Sequence, residues 1–148
     1  MSLTPTNDKC IENTIIGKNC KIWYFVNIYD SLIGDDVQIG SFCDIGDSKI
    51  GKETHISSSC FIPPKTEIGK KVFIGPGTII CNDKYPNLTT PQPKMGVFIN
   101  DEVVIGANVT ILPGLTIGKN AVIGAGAVVT KDVPEGEIWV GNPARRLK

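Results

Sequence analysis

Isoleucine returns along this chain about every sixth residue, with short polar stretches between. From Ile16 the units read IGKNCK, IWYFVN, IYDSL, IGDDVQ, IGSFCD, IGDSK, IGKETH, ISSSCF, IPPKTE, IGKKVF and IGPGTI. After Ile80 the pattern resumes at Ile99 with INDEVV, IGANVT, ILPGLT, IGKNAV, IGAGAV and VTKDVP. A short fixed period outranks local propensities, because it marks a repeat architecture. The units also sort in threes. IGKNCK, IGDDVQ, IGKETH, IGKKVF, INDEVV and IGKNAV share a charged, turn-forming second half and recur every 17 or 18 residues, apart from one insertion. The pattern predicts triangular coils of three short strands, about six of them, stacked as parallel strands about 4.8 Å apart. The opening isoleucines point inward. The fifth residue of a full unit also points inward at a corner and is small: Cys20, Val37, Thr54, Val72, Val103 and Ala121 in one column, Val26, Cys43, Cys60, Thr78, Val109 and Ala127 in the next. No amphipathic helix is predicted, and residues 1–148 read as a single all-β domain.

Composition narrows this picture. Isoleucine and valine outnumber leucine, which favours strands. Fifteen basic residues balance fifteen acidic ones, and no basic run offers a nucleic-acid footprint. No 18-residue apolar stretch predicts a membrane span. MSLTPTNDKC lacks a charged head followed by an apolar core, so no secretory leader is expected. Five irregularly spaced cysteines argue against a disulfide framework and for a reducing, cytoplasmic setting. Cys20, Cys43 and Cys60 are then small core residues, with Cys43 and Cys60 expected as stacked neighbours.

One break interrupts the repeat. The step from Ile80 to Ile99 is nineteen residues where six are due. The excess, CNDKYPNLTTPQPKMGVF, is rich in proline and predicts a loop extruded near residues 82–98.

These units resemble the hexapeptide-repeat acyltransferases, over residues 10–148. The periodicity leaves the hand of the coil open; the resemblance implies a left-handed parallel β-helix. It also implies a homotrimer with sites between subunits, and a loop that closes over a neighbouring subunit's site. CNDKYPN looks like the TND-x-YPR segment of acyltransferases acting on nucleotide-linked amino sugars, with Asn87 in place of the arginine. KIWYFVNI at 21–28 is similar to their K-x-W-H-F-x-H-I segment, with Tyr24 and Asn27 in place of histidines. The resemblance therefore implies an acetyl-CoA-dependent N-acetyltransferase acting on a nucleotide-linked amino sugar, with Trp23, Asn27, Asn82, Asp83 and Tyr85 near the acceptor. Residues 105–148 resemble galactoside- and maltose-type acetyltransferases. That likeness implies backbone amides of Ala107 and Ala125 along the pantetheine arm of coenzyme A, Thr130 and Lys131 in the same groove, and Arg145 and Lys148 at its phosphates. Fixed cations suit phosphate, and arginine binds it bidentately. Trp23, Tyr24, Phe25 and Tyr29 crowd the first coils, and Phe42 lies one coil on at Phe25's corner. Such aromatics suit a stacked nucleobase, the covering of an open end, or a subunit contact.

The chain has one histidine, His55. Both places where the resemblance implies a catalytic histidine hold other residues: Tyr85 before Pro86, and Ser58–Ser59 at the corner two coils before the coenzyme units. A sugar hydroxyl needs strong base assistance to attack a thioester. A sugar amine, with a pKa around 8, is roughly one-tenth free base at pH 7. It needs positioning, which supplies about 7–11 kcal/mol, more than a base, which adds about 10²–10⁴-fold. A chain without both histidines fits an amine acceptor, with His55, Ser58 and Ser59 as candidate catalytic residues. The alternatives are an O-acetyltransferase of a sugar or small alcohol, with His55 as base, and a non-catalytic binding solenoid. A zinc site of carbonic-anhydrase type would need three histidines, so no metal is expected.

Overall fold

The computed structural model describes residues 8–148. The leader expectation for the N-terminus falls largely on residues 1–7, outside the described residues. The chain winds around a triangular core and lays down three sheets in strict rotation. The first sheet holds β1 (Lys9–Glu12), β4 (Val26–Tyr29), β7 (Asp44–Gly46), β10 (Phe61–Ile62), β13 (Ile79–Ile80), β16 (Thr110–Ile111) and β19 (Val128–Val129). The second holds β2 (Ile15–Ile16), β5 (Leu32–Ile33), β8 (Lys49–Ile50), β11 (Glu67–Ile68), β14 (Phe98–Ile99) and β17 (Thr116–Ile117). The third holds β3 (Lys21–Ile22), β6 (Gln38–Ile39), β9 (His55–Ile56), β12 (Phe73–Ile74), β15 (Val104–Ile105), β18 (Val122–Ile123), β20 (Ile138–Val140) and β21 (Arg145–Arg146). All pairings are parallel except β20 with β21, where the chain turns back. This is the all-β solenoid expected of a left-handed parallel β-helix.

The stack is longer than the six coils expected. The first sheet has seven strands and the third has eight. The extra rungs are β1, which lies ahead of the first isoleucine unit, and β20–β21, which continue beyond the last. Neither carries the Ile-Gly opening that announces a coil.

Strands of two residues make few ladder bonds, so burial holds the stack together. Each coil places isoleucines inward: Ile39, Ile45, Ile56, Ile62, Ile74 and Ile105 are fully buried. Burying a side chain of this size contributes about 1.5–3 kcal/mol. The predicted small corner residues are all buried except Cys20, which faces the open first coil and is only partly covered. Cys43 and Cys60 are buried free thiols in register on adjacent coils. Cys60's hydrogen bond to Cys43, together with burial, pushes its thiol pKa far up. Buried hydroxyls find partners as well: Ser48 Oγ lies 2.6 Å from Gly46 O, and Thr66 Oγ1 donates to Pro63 O at 2.7 Å.

Most corners hold one residue in the left-handed region, at the fourth place of a six-residue unit and the third place of a five-residue one. Asn19, Asp36, Glu53, Lys71, Glu102 and Asn120 supply it between the second and third sheets. Among the described residues no helix is long and apolar enough to cross a membrane.

Candidate active site

The three corners differ in what covers their backbone. At the corner from the second to the third sheet, aspartates cap two coils: Asp35 Oδ1 accepts the Lys18 amide at 2.7 Å and Asp101 Oδ1 accepts the Lys70 amide at 2.8 Å. We call this the aspartate corner. At the corner from the first to the second sheet, hydroxyls do the same work, with the Ser31 amide donating to Thr14 Oγ1 and the Ser48 amide to Ser31 Oγ. The third corner, between the third and first sheets, is built from Gly40–Ser41, Ser57–Ser58, Gly75–Pro76, Gly106–Ala107 and Gly124–Ala125. Here the amides of Ser58, Ala107 and Ala125 meet no such cap among the described residues. Packing explains the glycines. A Cβ on Gly75 would lie 2.6 Å from the Ala107 nitrogen, and one on Gly106 would lie 2.5 Å from the Ala125 nitrogen. We call this the serine corner.

A groove of about 440 Å³ opens beside it, lined by Trp23, Gln38, Gly40, His55, Ser57, Ser58 and Pro76. His55 projects outward from β9, and its ring meets that of Phe73 on the next coil, centroids 5.5 Å apart and tilted by 59°. The structure thus brings His55, Ser58 and Trp23 together. Ser59 follows at φ 62°, exposed on the same corner. A larger hollow of about 620 Å³ involves Ile11, Cys20 and Ile22. It lies at the end of the stack where the described residues begin. Gln38 and Ser57 are lining residues that motif comparison missed. The repeat itself could have found Gln38, which pairs in register with His55 exactly one coil earlier, 17 residues upstream.

Other expected site residues lie elsewhere. Asn27 is on β4, its amide 3.3 Å from Asp44 Oδ1. The loop leaves the corner between the first and second sheets, across the first sheet from the groove. It ends at Gly96, because Val97 is already buried as the small inward residue of its coil and Phe98 is in β14. Met95 N donates to Asn82 O at 2.7 Å and closes the loop's base, while Asn82 Nδ2 ties it to Pro64 O at 3.1 Å. Asp83 pairs with Lys94 through one carboxylate oxygen, and its other, Oδ1, is buried without a partner. Tyr85 is two-thirds exposed and Leu88 wholly so. Within one chain Asn82, Asp83 and Tyr85 therefore do not reach His55, although the loop is only one coil away along the axis.

Thr130 and Lys131 lie at a different corner of the chain. They follow β19 and lie at the loop's corner, one sheet away from Ala107 and Ala125, so a single chain does not unite them in one groove. The reason is arithmetic: six residues beyond Ala125 carry the chain across a whole sheet. Arg145 and Lys148 are exposed at the C-terminal end of the third sheet, where Arg145 Nη1 donates to Ala144 O at 2.7 Å. Among the described residues no group of three or more His, Cys, Asp or Glu side chains is placed to hold a metal ion.

Residues 96–131 match the family model "Bacterial transferase hexapeptide (six repeats)". The chain is a hexapeptide-repeat solenoid. Over 80 residues, 54% of this solenoid, it is 42% identical to 2,3,4,5-tetrahydropyridine-2,6-dicarboxylate N-acetyltransferase of Staphylococcus aureus. That stretch is 31% of the relative, so the solenoid spans about a third of the length of the curated relatives it matches. It is similar to the crystal structure of a variant of AntD, an N-acyltransferase from Bacillus cereus in complex with dTDP-4-amino-4,6-dideoxyglucose and coenzyme A. The TM-score is 0.80, with 28% identity, covering 92% of the solenoid and 82% of AntD. A hexapeptide-repeat containing acetyltransferase from Vibrio cholerae is 27% identical, with a TM-score of 0.69, over 90% of this chain and 72% of that one.

Proposed function

We propose that the protein is an acetyl-CoA-dependent N-acetyltransferase acting on the amine of a nucleotide-linked amino sugar. The observation that carries the reading is the serine corner, where uncapped amides of Ala107 and Ala125 line up with the groove of His55 and Ser58. Small side chains and free N–H donors suit a flat amide-bearing arm such as pantetheine, and the likeness to AntD supports both substrates. Acetyl-CoA would supply the acyl group as a thioester. In this reading Ser58 Oγ, which lines the groove, would hydrogen-bond the acceptor amine, and the free amides of the corner suit an oxyanion. Arg145 and Lys148 suit the coenzyme's phosphates. The same reading takes the protein as a cytoplasmic homotrimer whose loop, with Asn82, Asp83 and Tyr85, completes a neighbour's groove. Light scattering at working concentration checks the trimer.

The test follows coenzyme A thiol release from acetyl-CoA with UDP-, dTDP- and GDP-linked amino sugars. Turnover with one of them supports the reading; turnover only with unaminated sugars overturns it. Because His55 lines the groove, O-acetylation with His55 as base is the second reading.

A further inference from the structure

Two aromatic residues on the serine corner stand where the fold has no need of them. The fourth place of each unit along this corner is held in the left-handed region, and it is occupied in turn by Phe25, Phe42, Ser59, Gly77, Asn108 and Gly126. Glycine and asparagine take that conformation readily, whereas a bulky side chain there is an outlier. Phe25 has φ 58° and Phe42 has φ 64°. Packing does not require the rings, since a Cβ on Gly126, at the same place higher up, would meet nothing within 4 Å. Both rings are exposed, 54% for Phe25 and 63% for Phe42, yet they lie parallel, with centroids 5.4 Å apart and planes 5° from parallel. The left-handed conformation is general to the corners; what sets this one apart is a pair of bulky, exposed and parallel rings in two successive coils.

The neighbouring aromatics are otherwise engaged. Tyr29's ring lies over Gly46, where a Cβ would come 2.1 Å from it, and Tyr24 receives Lys9 Nζ at 5.1 Å from its ring centre. Trp23 lines the groove. Among the described aromatics of these first coils, Phe25 and Phe42 present the open, parallel pair of faces.

We propose that Phe25 and Phe42 form a stacking platform for the nucleobase of the acceptor. The platform adjoins the groove directly. Phe42 N donates to Phe25 O, and Ser59 N, one coil further, donates to Ser41 O beside Phe42. One coil is about 4.8 Å. A base stacked on Phe42 therefore sits at the level of Ser58 and Ser59, with the rest of its ligand directed to the groove. Every base has a π-face, so the platform selects for a nucleotide without choosing among bases. The assignment of this ligand as the acceptor rests on the N-acetyltransferase reading; nucleotide binding itself does not.

Isothermal calorimetry on the full chain separates the two. UDP, dTDP and GDP are titrated into the wild type, Phe25→Leu and Phe42→Leu, with inorganic pyrophosphate as the probe without a base and coenzyme A as the independent ligand. Leucine keeps the bulk and the backbone demand but removes the ring. The platform predicts that a nucleoside diphosphate binds the wild type and pyrophosphate binds far more weakly. It predicts about tenfold or greater weakening of the nucleotide in each leucine variant, with coenzyme A affinity unchanged and Phe42→Trp retaining nucleotide binding. The proposal is overturned if no nucleotide binds the wild type or if the leucine variants bind nucleotide normally. It is equally overturned if the variants lose nucleotide only as their oligomeric mass falls, since the rings would then be a subunit contact. Nucleotide binding without coenzyme A affinity or thiol release would leave the platform standing and sink the N-acetyltransferase reading.

Discussion

The serine and aspartate corners are made from the same hexapeptide and turn the same chain. Each places an isoleucine inward, a left-handed residue fourth and a small residue fifth. They differ in one respect. On the aspartate corner, carboxylates from the next coil take the amides of Lys18 and Lys70. The amides of Asp35, Lys52, Asp101 and Lys119 on that corner carry no such cap, and on the serine corner none of the equivalent amides among the described residues, those of Ser58, Ala107 and Ala125 included, has one. A solenoid needs every corner to turn, but it needs only some of them sealed. The unsealed corner runs past the groove, and there the backbone itself is offered as a hydrogen-bonding surface.

The contrast can be broken most severely from inside. Ile56 is fully buried at the start of the serine corner. Ile56→Ala should remove about 2–5 kcal/mol of stability by urea unfolding, and both corners should loosen together. A sharper test adds one methyl to each corner. Gly51→Ala would bring a Cβ within 2.4 Å of Gly69, and Gly106→Ala within 2.5 Å of the Ala125 nitrogen. Each should cost about 1–3 kcal/mol of stability. Only Gly106→Ala should also weaken coenzyme A, by about tenfold or more in calorimetry; equal weakening in both would erase the distinction. His55→Ala, assayed at pH 8, should lower kcat less than about tenfold, because positioning rather than a base carries an amine acceptor. Near-complete loss would favour the hydroxyl reading. The smallest change is expected from Asp101→Ala, which uncaps Lys70. About 1 kcal/mol should be lost in thermal or urea unfolding, with thiol release unchanged.

Most of the scaffold was legible because its core is periodic. From Ile28 on, each opening isoleucine named by the spacing is buried, as are the corner residues Cys43, Cys60 and Val109; Ile16 and Ile22, at the end of the stack where the described residues begin, are exposed and partly buried respectively. The terminal rungs were not legible, since KCIE and IWV pair with the stack without its Ile-Gly opening. The groove was half legible. Ser58 came from comparing motifs, which is one-dimensional, and His55 from being the one histidine of the chain; the comparison gave no sign that a sheet separates Lys131 from Ala125 within one chain. The capping of one corner and not another could not be read at all. It depends on whether an aspartate stands one coil away, 17 or 31 residues distant in the chain. The stacked rings of Phe25 and Phe42 were visible as aromatics, but their parallel, outward set required coordinates.

Because each rung pairs only with the rungs on either side, distance along the serine corner comes in whole steps of about 4.8 Å. The corner is in that sense a ruler. Deleting or duplicating one 17-residue coil between Phe42 and Ala107 would move two stations along a line while leaving the chemistry at each unaltered. The length of an acceptor would thus be set by counting turns, a property that no single side chain holds and that no point substitution could transfer.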